Sequence, residues 1–385
     1  MLYTPAFASL FAANLSLVAS FAAFFLFPLF ITDHGGSQRD IGIIMGCFAL
    51  ASALCRPWVS EMIDRFGRKR SYSLGCTIMT LMPLLHLFFS GPLTSFYLPL
   101  LLLRAVHGIG LAICFTAVFT FIVDLIPEGR LNEGIGMFGT SGLIGLAVGP
   151  MIAEPVLSNF GYNAYFLTAA GLAGFGLLVH LPLRDPHHGR QHADSPAVSF
   201  FALLKQRKLL VSACLALVFG FGLAATGNFI APLAQDRQLE LISLFYLSYS
   251  CAAVGIRFFS GRLADRIGEQ QIIPWGFYLA AGGLIVVPFV GNDLLLGVCG
   301  FIFGIGHGLL FPAINSMAIR DEPYSVRGKV TGIFTGGIDS GSFVGALILG
   351  QLGDLFGYTV LFFCAATIVL SGRWIFSYRP DNSPA

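Results

Sequence analysis

The chain has 385 residues, of which 56% are hydrophobic and only 11% charged, with a mean hydropathy of +0.79. A soluble domain carries roughly 25% charged residues, so this composition excludes one and requires an integral membrane protein. The net charge of +2 says little by itself, and no nucleic-acid partner is expected.

Apolar runs of membrane-crossing length predict twelve spans, at 6–32, 41–60, 71–91, 96–123, 134–155, 163–183, 209–233, 241–260, 271–290, 294–318, 330–350 and 358–377. The first run is too long for a signal peptide and follows no basic stretch, so it reads as a span. Lysine and arginine gather on the side that holds both termini. Only Arg39 and Arg237 fall on the other side, while Arg56, Arg104 and Arg257 lie within spans. The positive-inside rule then places both termini in the cytoplasm, and in a bacterial cell the membrane is the inner one. The 46 glycines and 38 phenylalanines suit helices that approach closely and face lipid. All eight cysteines fall within spans without ligand spacing, so no disulfide and no metal site is expected.

The longest polar stretch, 184–208, separates six spans from six. It divides the chain into an N-terminal half (1–183), a cytoplasmic linker (184–208), a C-terminal half (209–378) and a short tail (379–385). Its histidines, His187, His188 and His192, read as part of a flexible linker. A short amphipathic piece near Phe200–Leu204 is expected at the membrane surface. The halves repeat each other. Arg56 stands eight residues before Asp64-Arg65-Phe66-Gly67, and Arg257 eight before Asp265-Arg266-Ile267-Gly268. Gly136, Phe138, Gly145 and Gly149 recur as Gly332, Phe334, Gly341 and Gly345, and His107-Gly108 recurs as His307-Gly308. Six crossings per half make these parallel repeats, an arrangement typical of carriers that rock about a central site.

The segment Ser60-Glu61-Met62-Ile63-Asp64-Arg65-Phe66-Gly67-Arg68-Lys69-Arg70 resembles the signature loop of the major facilitator superfamily, G-x-L-A-D-R-x-G-R-K, with serine at the first glycine. Gly261 to Gly268 keeps that glycine but loses the basic tail at Glu269 and Gln270. Arg104-Ala-Val-His107-Gly108-Ile-Gly110 is similar to the family's R-x-x-Q-G-x-G. Gly136, Gly145, Gly149 and Pro150 follow the G-x8-G-x3-G-P spacing of its drug/proton antiporters, although Ala153 and Glu154 replace the two glycines that usually follow. The resemblance covers nearly the whole chain. It implies an all-α membrane protein of twelve transmembrane helices in two pseudo-symmetric six-helix halves. It also implies that Asp64, Arg65, Gly67, Arg68, Asp265, Arg266 and Gly268 form a conformational latch, and that Gly136, Gly145, Gly149 and Pro150 pack helices. A purely topogenic role for the loop's basic residues is the plainer alternative.

Charges within a bilayer are costly and mark function by default. Asp339, in Gly336-Gly337-Ile338-Asp339-Ser340-Gly341, is the deepest acid, and its repeat counterpart is Leu143. It is the expected proton-coupling group, and the resemblance implies that Arg104 aids proton transfer by tuning a nearby acid. A structural pairing of Asp339 with an arginine is the alternative, and Arg56 at comparable depth is the specific candidate. Arg56, Arg257, His107 and His307 are the expected cavity residues, with snorkelling of Arg56 and hydrogen-bonded packing of the histidines as alternatives. Glu154 reads as interfacial and Asp124 as the cytoplasmic end of span 4. Three deep arginines and two histidines against one acid favour an anionic or zwitterionic small-molecule solute.

The expected function is secondary transport by alternating access, as proton-coupled efflux, in a monomer surrounded by lipid. Protons are the only expected coupling ion and no cofactor is expected. No nucleotide-binding loop or nucleophile–base constellation points to an ATPase or another enzyme. Proton-coupled uptake on the same fold is one rival. A non-transporting sensor or lipid-handling protein on this scaffold is the other.

Overall fold

A computed structural model describes residues 3–127, 130–184, 200–267, 269–320, 322–323 and 326–378, with backbone alone at Ser60, Asp64, Leu131, Asn132, 258–267 and 269–270. Helices are the only regular structure among the described residues. The first half holds α1 (Pro5–Ala23), α2 (Phe27–Asp33), α3 (Gln38–Phe66), α4 (Arg68–Leu85), α5 (Leu93–Leu125) and α6 (Leu131–His180). After the short α7 (Phe200–Leu204), the second half holds α8 (Arg207–Asp236), α9 (Ser243–Ile267), α10 (Glu269–Val286), α11 (Asp293–Ile319) and α12 (Arg327–Ser377).

Local chemistry sets many of the ends. Thr4 caps α1 by accepting from the Phe7 N–H at 3.2 Å, with Pro5 in the first turn. Ser37 and Asp40 form a reciprocal capping box at the start of α3. Gly67, at φ +87°, is the single residue between α3 and α4, a left-handed backbone that suits glycine. Asn292 caps α11 through the Leu295 N–H at 2.8 Å.

Twelve crossings emerge from fewer helices. α1 and α2 form one crossing, joined by a 3-10 turn at Phe24–Leu26. α6 and α12 are 50 and 51 residues long, and each is interrupted once, at Gly161 and Gly357, both with φ +75°. About twenty residues cross a bilayer, so each contributes two crossings. The expected gaps between spans 5 and 6, and between spans 11 and 12, thus shrink to a break at one glycine.

Inside each half the motif glycines bring helices into backbone contact. A Cβ on Gly145 would lie 2.6 Å from the Leu15 carbonyl oxygen and 2.9 Å from Val18 Cβ, so α6 rides directly on α1. Gly149 meets the Ala22 Cβ in the same way, and Gly345 brings α12 to Phe221 and Ala224 of α8. Pro150 lies within α6 beside this contact. Gly136 differs, because among the described residues a Cβ there would meet nothing within 4 Å.

The two halves meet along α3 against α12 and α6 against α9. Far from the basic loops this seam is tight. A Cβ on Gly350 would lie 2.7 Å from the Gln38 carbonyl oxygen, Phe25 stacks on Tyr246 at 5.0 Å, and Gln38 hydrogen-bonds Tyr358.

The contrast between two glycines of one motif gives opposite expectations. Gly145→Ala forces α6 off the α1 backbone and should cost about 1–3 kcal/mol, read as a lower melting temperature in detergent. Gly136→Ala adds a methyl in open space and should be neutral or stabilising by up to about 1 kcal/mol. Equal shifts for the two would refute this packing account.

Candidate functional site

The seam at mid-depth carries an ion pair between the halves. Arg56 of α3 donates through Nε to Asp339 Oδ2 of α12 at 2.6 Å, and the Ser52 hydroxyl, one helical turn before Arg56, donates to the same oxygen at 2.8 Å. The side chains of Arg56 and Asp339 are 9% and 18% exposed, so the charges hold each other largely out of water. Arg56 therefore turns to the seam and does not snorkel to the surface. Helix geometry made the pairing accessible, since both residues sit eight to ten positions from their loops.

Each seam arginine lies over a glycine of the opposite half. A Cβ on Gly336 would stand 3.6 Å from Arg56 Cδ, and one on Gly139 of α6 would stand 3.3 Å from Arg257 Nη1. The halves differ in charge at this point. Arg257 has no carboxylate partner among the described residues, its Nε is buried without an acceptor, and its guanidinium lies 5.7 Å from the Phe311 ring. Leucine stands at the position of Asp339 in the first half, so Arg257 lacks the counterpart of the acid that meets Arg56. His307 lies among aromatic rings near Arg257, hydrogen-bonded through Nδ1 to the Tyr249 hydroxyl and 5.0 Å from Phe219.

Arg104 lies in a different setting. It is 1% exposed and enclosed by Phe48, Phe24 and Phe27, at 4.5, 5.1 and 5.2 Å from its guanidinium carbon. It donates to His107 Nδ1 at 3.1 Å. Arginine cannot accept, so the neutral His107 ring carries its proton on Nε2. No carboxylate pairs with Arg104 among the described residues. Ring faces supply the negative charge instead, each worth up to about 2 kcal/mol when desolvated. The acid expected beside Arg104 is thus replaced by a cage. His107 and His307, equivalent in the repeat, have unlike partners, an arginine and a tyrosine.

At the basic end, Arg68 pairs with Asp124 across α4 and α5, and Arg65 pairs with Glu61 at 2.5 Å on an exposed surface. An exposed pair of the second kind contributes little. The side chains of Asp64, Asp265 and Arg266, and Gly268 itself, lie outside the described residues, as does the histidine-bearing part of the linker.

Comparison with known proteins places this geometry. The Major Facilitator Superfamily model matches residues 9–346. The chain belongs to the Major Facilitator Superfamily. Among its relatives, the multidrug resistance protein MdtG of Serratia proteamaculans (strain 568) is 26% identical over 386 residues, covering 96% of this chain and 92% of the relative. The staphylopine export protein of Staphylococcus aureus (strain Mu50 / ATCC 700699) is 23% identical over 372 residues, covering 93% and 92%. Among solved structures, a POT family transporter in complex with a thioalcohol-conjugated peptide superposes with a TM-score of 0.79 at 15% identity, covering 96% of this chain and 95% of that one. The nucleoside transporter NupG gives 0.72 at 14% identity, covering 97% and 100%. These two likenesses are of fold.

The protein is therefore an integral membrane transporter of this superfamily and not an enzyme, and the family fixes a small molecule as its cargo. Its polar interior also holds residues that the sequence reading passed over. Ser52 stood one turn from Arg56, at a spacing that predicts a shared face. His86, 1% exposed among Phe24, Phe27 and Phe166, is an ionisable group within a span and was visible by that criterion alone. Tyr249 had no sequence signal.

The seam pair makes a sharp stability test. Asp339→Asn leaves Arg56 mostly buried without its counter-charge and should destabilise the transporter by about 3–5 kcal/mol. The joint Arg56→Gln, Asp339→Asn variant should recover most of that loss in a thermal melt. Additive losses would show that the two side chains do not depend on each other.

Proposed function

We propose that this transporter exports a zwitterionic small molecule from the cytoplasm across the inner membrane in exchange for protons, by alternating access. The observation that carries this reading is the unequal charge of the two seam arginines: Arg56 is neutralised by Asp339, and Arg257 has no acid among the described residues. An unneutralised guanidinium at the boundary of two moving halves is a ready partner for a carboxylate. The staphylopine export protein among its relatives supports the export direction.

Exchange requires proton and solute to exclude one another. A solute ammonium competes with a proton for Asp339, while the solute carboxylate pairs with Arg257. A simple anion lacks that competition: protonation of Asp339 would release Arg56 to attract it, and proton and anion would travel together. The zwitterion is therefore the form of solute that suits efflux, and a simple anion suits the rival uptake mode.

With the basic loops and both termini in the cytoplasm, the tight end of the seam is the outer one. The described arrangement then closes the cavity to the outside, the state that receives cargo from the cytoplasm. Loop residues Asp64, Arg65, Gly67 and Arg68, with Asp265, Arg266 and Gly268 in the second half, are proposed as the inner latch. Arg104 is proposed to support proton transfer through His107, and His307 to line the cavity with Arg257.

A thermal-shift screen of the purified protein against amino-acid-like zwitterions, organic anions and lipophilic cations should find a zwitterion that raises the melting temperature by mass action. Its binding should weaken as the pH falls in wild type and lose that pH dependence in Asp339→Asn, and Arg257→Gln should weaken it by about tenfold or more. Proton uptake on binding of a simple anion would instead establish symport. Binding unaffected by Arg257→Gln would remove that arginine from recognition.

A further inference from the structure

Between α1 and the second crossing of α6 lies a cavity of about 550 Å³. One face of each helix lines it, Phe11, Ala12 and Leu15 on α1 and Gly171, Leu172 and Phe175 on α6, at the three- and four-residue spacings that put side chains in a row. The second crossing of α6 is held from two sides within its own half: Gly176 faces the Ala13 carbonyl of α1, and Gly174 faces Thr80 of α4. Its remaining side carries Leu167, Phe175 and Leu178, which are 53%, 55% and 66% exposed, and the exposed Gly171. The cavity therefore opens on the face that a membrane-spanning protein presents to lipid.

Its chemistry is apolar. The two hydroxyls on its lining are already committed, Ser16 to the Leu172 carbonyl at 2.7 Å and Thr168 to the Ala164 carbonyl at 2.8 Å. A polar ligand would leave its own donors and acceptors unpaired there. Gly171 keeps the slot open. A Cβ on Gly176 would lie 2.8 Å from the Ala13 carbonyl oxygen, an approach that requires glycine, whereas one on Gly171 would meet no described atom within 4 Å. The backbone at Gly171 is ordinary helix, so glycine there provides room and neither a close contact nor a turn. At about 1.5 Å per residue, Phe11 and Ser16 lie ~9 and ~17 Å along α1 from Pro5, which spans the part of a ~30 Å hydrocarbon core from the side of the termini to its middle.

We propose that this slot binds one acyl chain of a phospholipid, from the leaflet on the side that holds both termini. A chain in the slot touches protein on two sides and one against a flat helix face touches it on one, so dispersion favours the slot. The proposal needs only that the protein spans the membrane, and it is independent of the direction of transport and of the cargo.

A phospholipid carrying a diazirine near the end of one acyl chain tests it, in nanodiscs of the full-length protein with the labelled peptides read by mass spectrometry. Leu74 and Leu81 of α4, each 48% exposed at a similar depth, supply the reference surface. Segments 11–16 and 168–175 should be labelled about tenfold more than segment 74–81. Gly171→Phe, whose ring fills the slot, should lower both to the level of the reference, and Gly171→Ala should keep most of the labelling. Ala12→Leu, which fills the slot from the α1 side, should repeat the loss. Equal labelling of slot and reference in wild type, or slot labelling unchanged in Gly171→Phe and Ala12→Leu, would overturn the proposal. Displacement of the label by a lipophilic cation present at far below the lipid concentration would assign the slot to cargo and overturn it as well.

Discussion

A charge placed in hydrocarbon is costly unless an opposite charge meets it, and Arg56 meets one across the boundary between the halves. The Arg56–Asp339 pair joins the two halves at mid-depth, with Ser52 supplying a further donor to the carboxylate. Its Coulomb energy is large only while water is excluded. Water reaching the seam weakens the pair, and parting of the pair admits water, so the contact is suited to two states more than to a graded series. The other mid-depth features fit around it. Gly336 leaves room for the Arg56 stem, and Gly139 leaves room for Arg257 on the related face.

Two kinds of close approach keep the machine both stiff and divisible. Within each half, glycines of α6 and α12 place backbone against backbone on α1 and α8, a contact whose strength lies in dispersion and shape. Between the halves, among the described residues, a narrower zone near Gly42 and Gly350 does the same at the end away from the basic loops. Packing of the first kind resists shear throughout a half. Packing of the second kind joins the halves where α3 meets α12.

Twelve crossings, the repeat, the Gly67 turn and the family were all legible in the sequence, because apolar length, charge asymmetry and motif spacing are one-dimensional properties. The depth of Arg56 and of Asp339 could be read from their distance to loops, which is why their meeting was accessible. Facing could not be read. Helices apolar on all sides give no amphipathic stripe to orient them, so the aromatic cage of Arg104 and the Tyr249–His307 contact depend on rotations that only packing supplies. Gly136 shows the reverse: its spacing matched a packing motif, yet no described residue lies close to it. Glu154 read as interfacial from its position, and its bonds to the Ile242 and Ser243 N–H groups at the start of α9 needed the neighbouring half to be in place.

The helix breaks at Gly161 and Gly357 bear on how the chain is made. Each pair of crossings, 5 with 6 and 11 with 12, is joined by a reversal with almost no spare chain, and the positive φ at its apex suits glycine. A ribosome-bound chain cannot settle the first member of such a pair far from the second. The two would leave the insertion machinery together as one hairpin, with an apex too short to need separate translocation. Each half would then be completed by its last hairpin closing over crossings already in the bilayer, so that the final synthetic event in each repeat is also the one that seats its motif glycines.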